Sequence, residues 1–259
     1  MSKNKLQKFA EMQQFPHVVQ AAFDEVFRKD YALKGQWGSR FFKNNNPIVL
    51  ELGCGKGEYS VGLARMFPGK NFIGVDIKGS RMHLGASTSY EEGLTNVGFL
   101  RTRIELIGSF FAPGEVDEIW LTFPDPQMNK TRKRLTSTRF LSLYAQFLKP
   151  GGLIHLKTDS RFLYTYTNLV VSENHFQVLH NYEDLYNSSF HDEILRIKTY
   201  YEERFLAHSI PIKYFCFIPD CSSQLVEPQQ EIERDNYHNA GRGVKLFNPE
   251  KNEEESFRR

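Results

Sequence analysis

From Ile48 onward the chain alternates short apolar runs with longer mixed segments. The runs are Ile48 to Leu52, Asn71 to Asp76, Val97 to Thr102, Val116 to Leu121 and Leu153 to Thr158. Apolar runs of this length bounded by Gly, Pro and Asp predict strands buried on both faces, and the segments between them predict crossover helices. Phe176 to Leu179 and Tyr214 to Ile218 add two further strands. The expected fold is therefore an open α/β architecture with a mostly parallel, seven-stranded sheet covered by helices on both faces. Thr136 to Lys149 reads as one of those helices: Phe140, Leu141, Leu143, Tyr144, Phe147 and Leu148 recur at helical spacing after a Thr/Ser cap, and Pro150-Gly151-Gly152 ends it.

The ends of the chain have a different character. Residues 1–46 carry Lys3, Lys5, Lys8, Arg28, Lys29, Lys34, Arg40 and Lys43 against four acids, and read as a basic N-terminal arm with one helix. Residues 47–219 form the expected domain. Residues 220–259, with nine acids, six bases and few large apolar side chains, read as a largely disordered tail. The 259 residues suit one domain with appendages. A formal charge of +2 leaves any nucleic-acid argument to local clusters.

The three cysteines, Cys54, Cys216 and Cys221, form no disulfide framework, and neither they nor the histidines show metal-ligand spacing. No metal is expected. Without an apolar leader or a membrane-length apolar run, the expectation is a cytoplasmic protein with no membrane partner, monomeric or homodimeric.

Candidate chemistry begins at Glu51-Leu52-Gly53-Cys54-Gly55-Lys56-Gly57, where three glycines alternate at the hand-over from the first strand to a helix. Glycine there permits a tight turn and lets a ligand approach the backbone. The spacing is G-x-G-x-G, which matches neither the dinucleotide fingerprint nor a Walker loop. Asp76 ends the second run 19 residues after Gly57, where an acid can accept both hydroxyls of a ribose. Glu51 would lie beneath the loop, holding a cofactor amino group or orienting the loop backbone. Loop and acid together indicate a nucleoside-containing cofactor; without a ligand, the same residues would be a tight turn and a helix cap.

The fourth run leads into Phe123-Pro124-Asp125-Pro126, at the sheet edge where open α/β folds bind ligands. The two prolines restrict the backbone around Asp125, as positioning a planar base requires. Between Asp125 and Asp159 there is no acid, while Lys130, Arg132, Lys133 and Arg134 crowd just beyond the loop. A phosphate backbone gripped there would place nucleic acid beside the site.

The glycine loop with its following acid resembles the first motifs of class I methyltransferases, which implies a Rossmann-like sheet and S-adenosylmethionine as cofactor. Phe-Pro-Asp-Pro, the basic run, Leu135-Thr136, Leu156-Lys157-Thr158-Asp159 and Thr199-Tyr200-Tyr201-Glu202 together resemble the bacterial tRNA (guanine-N7)-methyltransferase family over roughly residues 1–218. The resemblance implies cofactor contacts at Glu51, Gly53, Gly55, Gly57, Asp76, Thr102 and Asp125, with Asp125 also at the catalytic centre. It implies substrate contacts at Asp159, Thr199, Tyr200, Tyr201 and Glu202, and RNA phosphate contacts at Arg132, Lys133 and Arg134. In two places the chain departs from the family. Thr102 stands beside Arg103 where many members have Asp or Asn, and Gln127-Met128-Asn129-Lys130 stands where many have a Trp and shortly after it a Lys, so the implied substrate contact of that lysine falls to Asn129 or Lys130.

The implied reaction is methylation of N7 of a guanine in the variable loop of tRNA. That nitrogen has an in-plane lone pair and no proton to lose, so holding the reactants matters more than a strong base. Tyr200 and Tyr201 would stack on a base or pack in the core. A methyltransferase for another acceptor, or a non-catalytic RNA-binding module, remains the alternative.

Overall fold

Alternate residues of the central strands feed two separate cores. Leu50, Leu52, Ile119, Leu121, Ile154, Leu156, Phe215 and Phe217 face one core, whereas Val49, Trp120, Tyr214 and Cys216 face the other. This two-residue period, with both faces apolar, is what a helix-covered sheet demands. The computed structural model describes residues 3–189 and 193–235.

The strands are β1 (Val18–Gln20), β2 (Ile48–Leu52), β3 (Asn71–Asp76), β4 (Val97–Arg101), β5 (Val116–Thr122), β6 (Leu148–Thr158), β7 (Gln177–Tyr182) and β8 (Lys213–Ile218). They form one sheet in the order β1-β4-β3-β2-β5-β6-β8-β7. All pairings are parallel except those of β8 with β6 and with β7. The helices are α1 (Lys3–Gln14), α2 (Phe23–Val26), α3 (Glu58–Met66), α4 (Gly79–Glu91), α5 (Thr138–Tyr144), α6 (Arg161–Glu173) and α7 (Tyr200–Leu206). Strand order reverses between β2 and β5, and the crevice at their carboxyl ends is where such sheets bind ligands.

The mostly parallel α/β sheet follows the sequence reading, with eight strands where seven were expected. The eighth is β1, inside the supposed arm, which extends the sheet beyond β4. Three residues, of which only Val19 is buried, are too short to give a periodic signal. Residues 3–46 are not a loose arm. Trp37 is fully buried, donates from Nε1 to the Phe110 carbonyl (2.8 Å) and stacks on Phe111, while Glu115 accepts from the Gly35 and Trp37 amides.

The helix read over 136–149 is shorter. It ends at Tyr144, and Leu148 already pairs with Val116 as a strand residue before a register shift across Pro150-Gly151-Gly152.

The acidic stretch from 220 also differs from a disordered tail as far as Asp235. Glu227 accepts from the Thr138 amide and hydroxyl and from the Tyr166 hydroxyl. Asp235 accepts from Ser160 Oγ (2.5 Å) and the Phe162 amide (2.9 Å). Buried donors at two helix starts thus hold a segment whose composition suggested no core. The tail from 236 on lies outside the described residues.

Candidate active site

The glycine loop leaves β2 with backbone angles that its glycines accommodate: φ is 84° at Gly53, 57° at Gly55 and 74° at Gly57. The three do different work. A Cβ on Gly53 would meet nothing within 4 Å, and one on Gly55 only the Gly53 carbonyl at 3.9 Å, so the backbone there faces open space. A Cβ on Gly57 would strike the Phe99 ring at 2.6 Å, so the third glycine lets α3 pack against the sheet and α4.

Asp76, at the end of the neighbouring β3, accepts from the Gly55 amide (3.0 Å) and the Lys78 amide (2.7 Å). Its half-buried carboxylate therefore stands at the mouth of the loop with both oxygens oriented. Ile77 follows it, 48% exposed, an apolar surface against which a nucleobase could lie. Thr102, buried, comes directly after β4 on the same edge, since Arg101 is level with Asp76. Open glycine backbone, an oriented carboxylate and an adjacent apolar side chain fit the nucleoside of S-adenosylmethionine.

Glu51 lies beneath the loop and is buried. Ser60 donates to it from its amide (2.9 Å) and hydroxyl (2.5 Å), and Thr122 donates to its other oxygen. One carboxyl group thereby ties β2, α3 and β5 together. Burial pushes its pKa from 4.5 up to about 7, a shift that the Ser60 and Thr122 hydrogen bonds oppose and the Asp76 charge adds to. Of the two roles read for Glu51, the geometry favours orienting the loop. Burial also pushes the Cys54 thiol upward, so the loop cysteine is no thiolate at neutral pH.

Across the crevice, Phe123-Pro124-Asp125-Pro126 leaves β5. Phe123 (φ 49°) and Gln127 (φ 47°), neither of them glycine, both adopt left-handed backbone around Asp125. Such residues cost on the order of 1 kcal/mol each and tend to collect at functional sites. Asp125 is exposed, and its Oδ1 accepts from the Gln127 amide (2.9 Å), which fixes the carboxylate relative to its own loop. Asn129, Lys130, Arg132 and Lys133 are exposed beyond it.

Arg134 behaves differently from its neighbours. It is buried, donates to the Gln127 and Met128 carbonyls (3.3 and 3.0 Å), and lies over the Phe162 and Tyr166 rings at 4.7 and 4.3 Å. It clamps the loop rather than presenting its guanidinium to solvent, in contrast to the phosphate contact expected of it. Asp159, buried, follows β6 on the same carboxyl edge, with its carbonyl accepting from Lys213 Nζ (2.9 Å).

The Thr199-Tyr200-Tyr201-Glu202 stretch starts α7. Thr199 and Glu202 form a reciprocal capping box, a function that their spacing already encodes. Glu202 is fully buried, paired to Lys157 (2.7 Å) and to the Tyr186 hydroxyl (2.5 Å). Its carboxylate thus faces Lys157 and Tyr186, at a position where the resemblance implied a substrate contact. Tyr200 is 46% exposed: its amide donates to Glu58 (3.2 Å), and Lys56 of the glycine loop stands 3.8 Å over its ring. Tyr201 lies one position further along the same helix.

Sequence reasoning missed the supporting set: Lys157 and Tyr186 beneath α7, Ser60 and Thr122 on Glu51, and the Arg134 clamp. No local signal announced any of these, whereas the Thr199–Glu202 spacing is that of a helix cap. No group of three or more metal-binding side chains occurs among the described residues, and none of their helices is long and apolar enough to cross a membrane.

Comparison with known proteins places this geometry. The family described as "Putative methyltransferase" matches residues 45–214. The tRNA (guanine-N(7)-)-methyltransferase of Bacteroides fragilis is 55% identical over 93% of this chain and 96% of its own length. That of Porphyromonas gingivalis is 54% identical, with 89% and 96% covered, and that of Christiangramia forsetii 51%, with 83% and 98% covered.

Among solved structures, the 16S rRNA methyltransferase KamB superposes with a TM-score of 0.56 at 16% identity, over 70% of this chain and 92% of that one. The 16S rRNA (adenine(1408)-N(1))-methyltransferase from Catenulisporales acidiphilia gives 0.53 at 15%, over 77% and 94%. At such identities these two establish the fold alone. The sequence relatives go further, and with the glycine loop, Asp76 and the Phe-Pro-Asp-Pro loop on one edge of the sheet, the chain belongs to the tRNA (guanine-N(7)-)-methyltransferase family.

Proposed function

We propose that this chain methylates N7 of a guanine in the variable loop of tRNA, with S-adenosylmethionine as cofactor. The observation that carries this reading is the placement of the glycine loop, Asp76 and the Asp125 loop at the carboxyl ends of the adjacent strands β2, β3 and β5, beside the switch point of the sheet. It is supported by relatives at 51–55% identity over nearly their whole lengths. When bound, the cofactor supplies an electrophilic methyl group on a sulfonium.

Gly53, Gly55, Asp76, Ile77 and Thr102 hold its nucleoside end, and Gly57 and Glu51 keep the loop in shape from below. Asp125 accepts hydrogen bonds from the N1-H and amino group of guanine, with Asp159 as the second carboxylate on the same edge. Because N7 has no proton to lose, these carboxylates select and orient the base rather than deprotonate it. Tyr200 stacks on the base or on a neighbouring nucleotide, and Thr199 and Glu202 hold the start of its helix. Asn129, Lys130, Arg132 and Lys133 meet the RNA backbone beyond the Asp125 loop. Transfer RNA, the substrate, sets the compartment as the cytoplasm.

The test is transfer of labelled methyl from S-adenosylmethionine to unmodified bulk tRNA, followed by nucleoside analysis. A 7-methylguanosine product is expected. Cofactor binding without transfer to RNA would point to another acceptor, and absence of cofactor binding would leave only an RNA-binding module.

A further inference from the structure

Helix α7 touches both loops of the crevice. At its start the Tyr200 amide and ring meet Glu58 and Lys56 of the glycine-loop side, and near its end the Phe205 ring stacks against Phe123, two residues before Asp125, at 6.0 Å. A helix of seven residues is not held by its own hydrogen bonds alone, so its place depends on what its side chains meet, and the most buried of those contacts is made from below by Glu202.

Lys157, on β6, is fully buried, and its ammonium donates to Glu202 (2.7 Å), the Leu195 carbonyl (2.9 Å) and the Ile197 carbonyl (3.2 Å). An ammonium has three protons, which these three bonds can take up, and the Tyr186 hydroxyl stands further off at 3.5 Å. Tyr186 bonds both Glu202 and the Leu195 carbonyl, and Tyr59 of α3 donates to the Ile194 carbonyl (3.1 Å). Ile197 packs so closely on Gly62 of α3 that a Cβ there would meet it at 2.8 Å.

We propose that the buried Lys157–Glu202 pair is a positioning device for the methyl-transfer reaction, locking α7 so that Tyr200 abuts the glycine loop while Phe205 braces the Asp125 loop. A lysine at this depth is poorly explained as a stabilising contact alone, because apolar side chains of like volume often serve a core as well or better. What the pair adds is direction. Three donors on one nitrogen fix the 195–202 segment over β6, the strand that leads into Asp159, which apolar packing does not do. Both residues act through α7 rather than on the substrate. The inference rests on the reading of Tyr200 as a substrate-contacting residue.

The test replaces the pair with apolar side chains, Lys157→Met/Glu202→Leu, and reads three quantities. The melting temperature is expected to stay within a few degrees of wild type. Calorimetric binding of S-adenosylhomocysteine and kcat/KM for tRNA methylation are each expected to fall about tenfold or more, the scale of a misplaced binding element. Adding Tyr200→Ala to this variant should cost less than it costs the wild type, since coupled positions are not additive.

Wild-type binding and turnover in the folded double variant would overturn the proposal. If that variant does not fold, Glu202→Gln, which keeps the side-chain volume and the link to Tyr186, should show the same loss, and full activity there would overturn it equally. A silent Tyr200→Ala in the wild-type background would overturn it too, and would trace the failure to the reading of Tyr200 rather than to the pair.

Discussion

The two loops that face each other across the crevice are built on opposite plans. The glycine loop is held from beneath by a buried carboxyl group with three donors and at its mouth by Asp76, so its open backbone is fixed before any ligand arrives. The Asp125 loop has no such foundation. It is a strained turn with an exposed carboxylate, clamped by Arg134 on one side and braced by α7 on the other. The difference suits the ligands. A small cofactor rewards a preformed cradle, whereas a tRNA supplies many contacts of its own and needs only one base to be registered accurately.

The largest expected effect separates the two plans. Asp125→Ala removes an exposed side chain whose hydrogen bond from the Gln127 amide is local to its loop. It should lower kcat/KM for tRNA methylation by about a thousandfold, the scale at which losing an orienting contact in the transition state appears, with the melting temperature unchanged. Near-wild-type methylation by this variant would take Asp125 out of the mechanism.

Next in size is a pH effect confined to the cofactor side. With the Glu51 carboxyl raised to about 7 in the folded state against 4.5 ordinarily, the folded protein holds the proton more tightly than the unfolded chain does. Its contribution to stability is therefore complete below about pH 4.5 and is lost as pH rises through about 7, a swing of up to about 3 kcal/mol. Urea denaturation of wild type should lose stability between pH 5 and pH 8 relative to Glu51→Gln, which keeps the shape without the charge. Parallel curves for the two proteins would show that the buried carboxyl is not titrating there.

A smaller loss tests the mouth of the same loop. Asp76→Ala removes the acceptor for the Gly55 and Lys78 amides and the proposed ribose contact together, and S-adenosylmethionine should dissociate about ten- to a hundredfold more readily. Asp76→Asn, which keeps an acceptor oxygen, should lose less. An unchanged dissociation constant in the alanine variant would mean that the nucleoside lies elsewhere.

These same contrasts mark what the sequence could carry. Glycine spacing, the acid at the end of β3 and apolar runs of five to seven residues are local signals, and the central strands, the left-handed glycine turn and the acid beside it were legible in the sequence. Thr199 and Glu202 were legible as a pair but open to two physical meanings, since a Thr three residues before a Glu marks a helix cap as well as a binding motif. Lys157 and Arg134 look like surface cations in any linear reading. What buries them is a tertiary neighbourhood: Leu195, Ile197 and Tyr186 around the lysine, Phe162 and Tyr166 under the arginine. Three-residue β1 and the tail up to Asp235 escaped for the same reason, because their partners lie far away in the chain.

The smallest effect divides the basic run that the sequence had treated as one patch. Arg132 and Lys133 are exposed and Arg134 is buried, so their losses should differ in kind rather than only in size. Arg132→Gln and Lys133→Gln should each weaken tRNA binding only a few-fold at moderate salt and reduce the slope of log affinity against log salt by about one, as expected when a phosphate contact is lost. Arg134→Met should leave that slope unchanged. It should instead lower the melting temperature and kcat, because the Met128 carbonyl loses its guanidinium donor, the Gln127 carbonyl keeps only the Lys130 amide, and the Asp125 loop loses its clamp. If Arg134→Met flattens the salt dependence as the other two do, the guanidinium leaves its aromatic seat when RNA binds, and the preformed clamp would have to be replaced by one that the substrate itself completes.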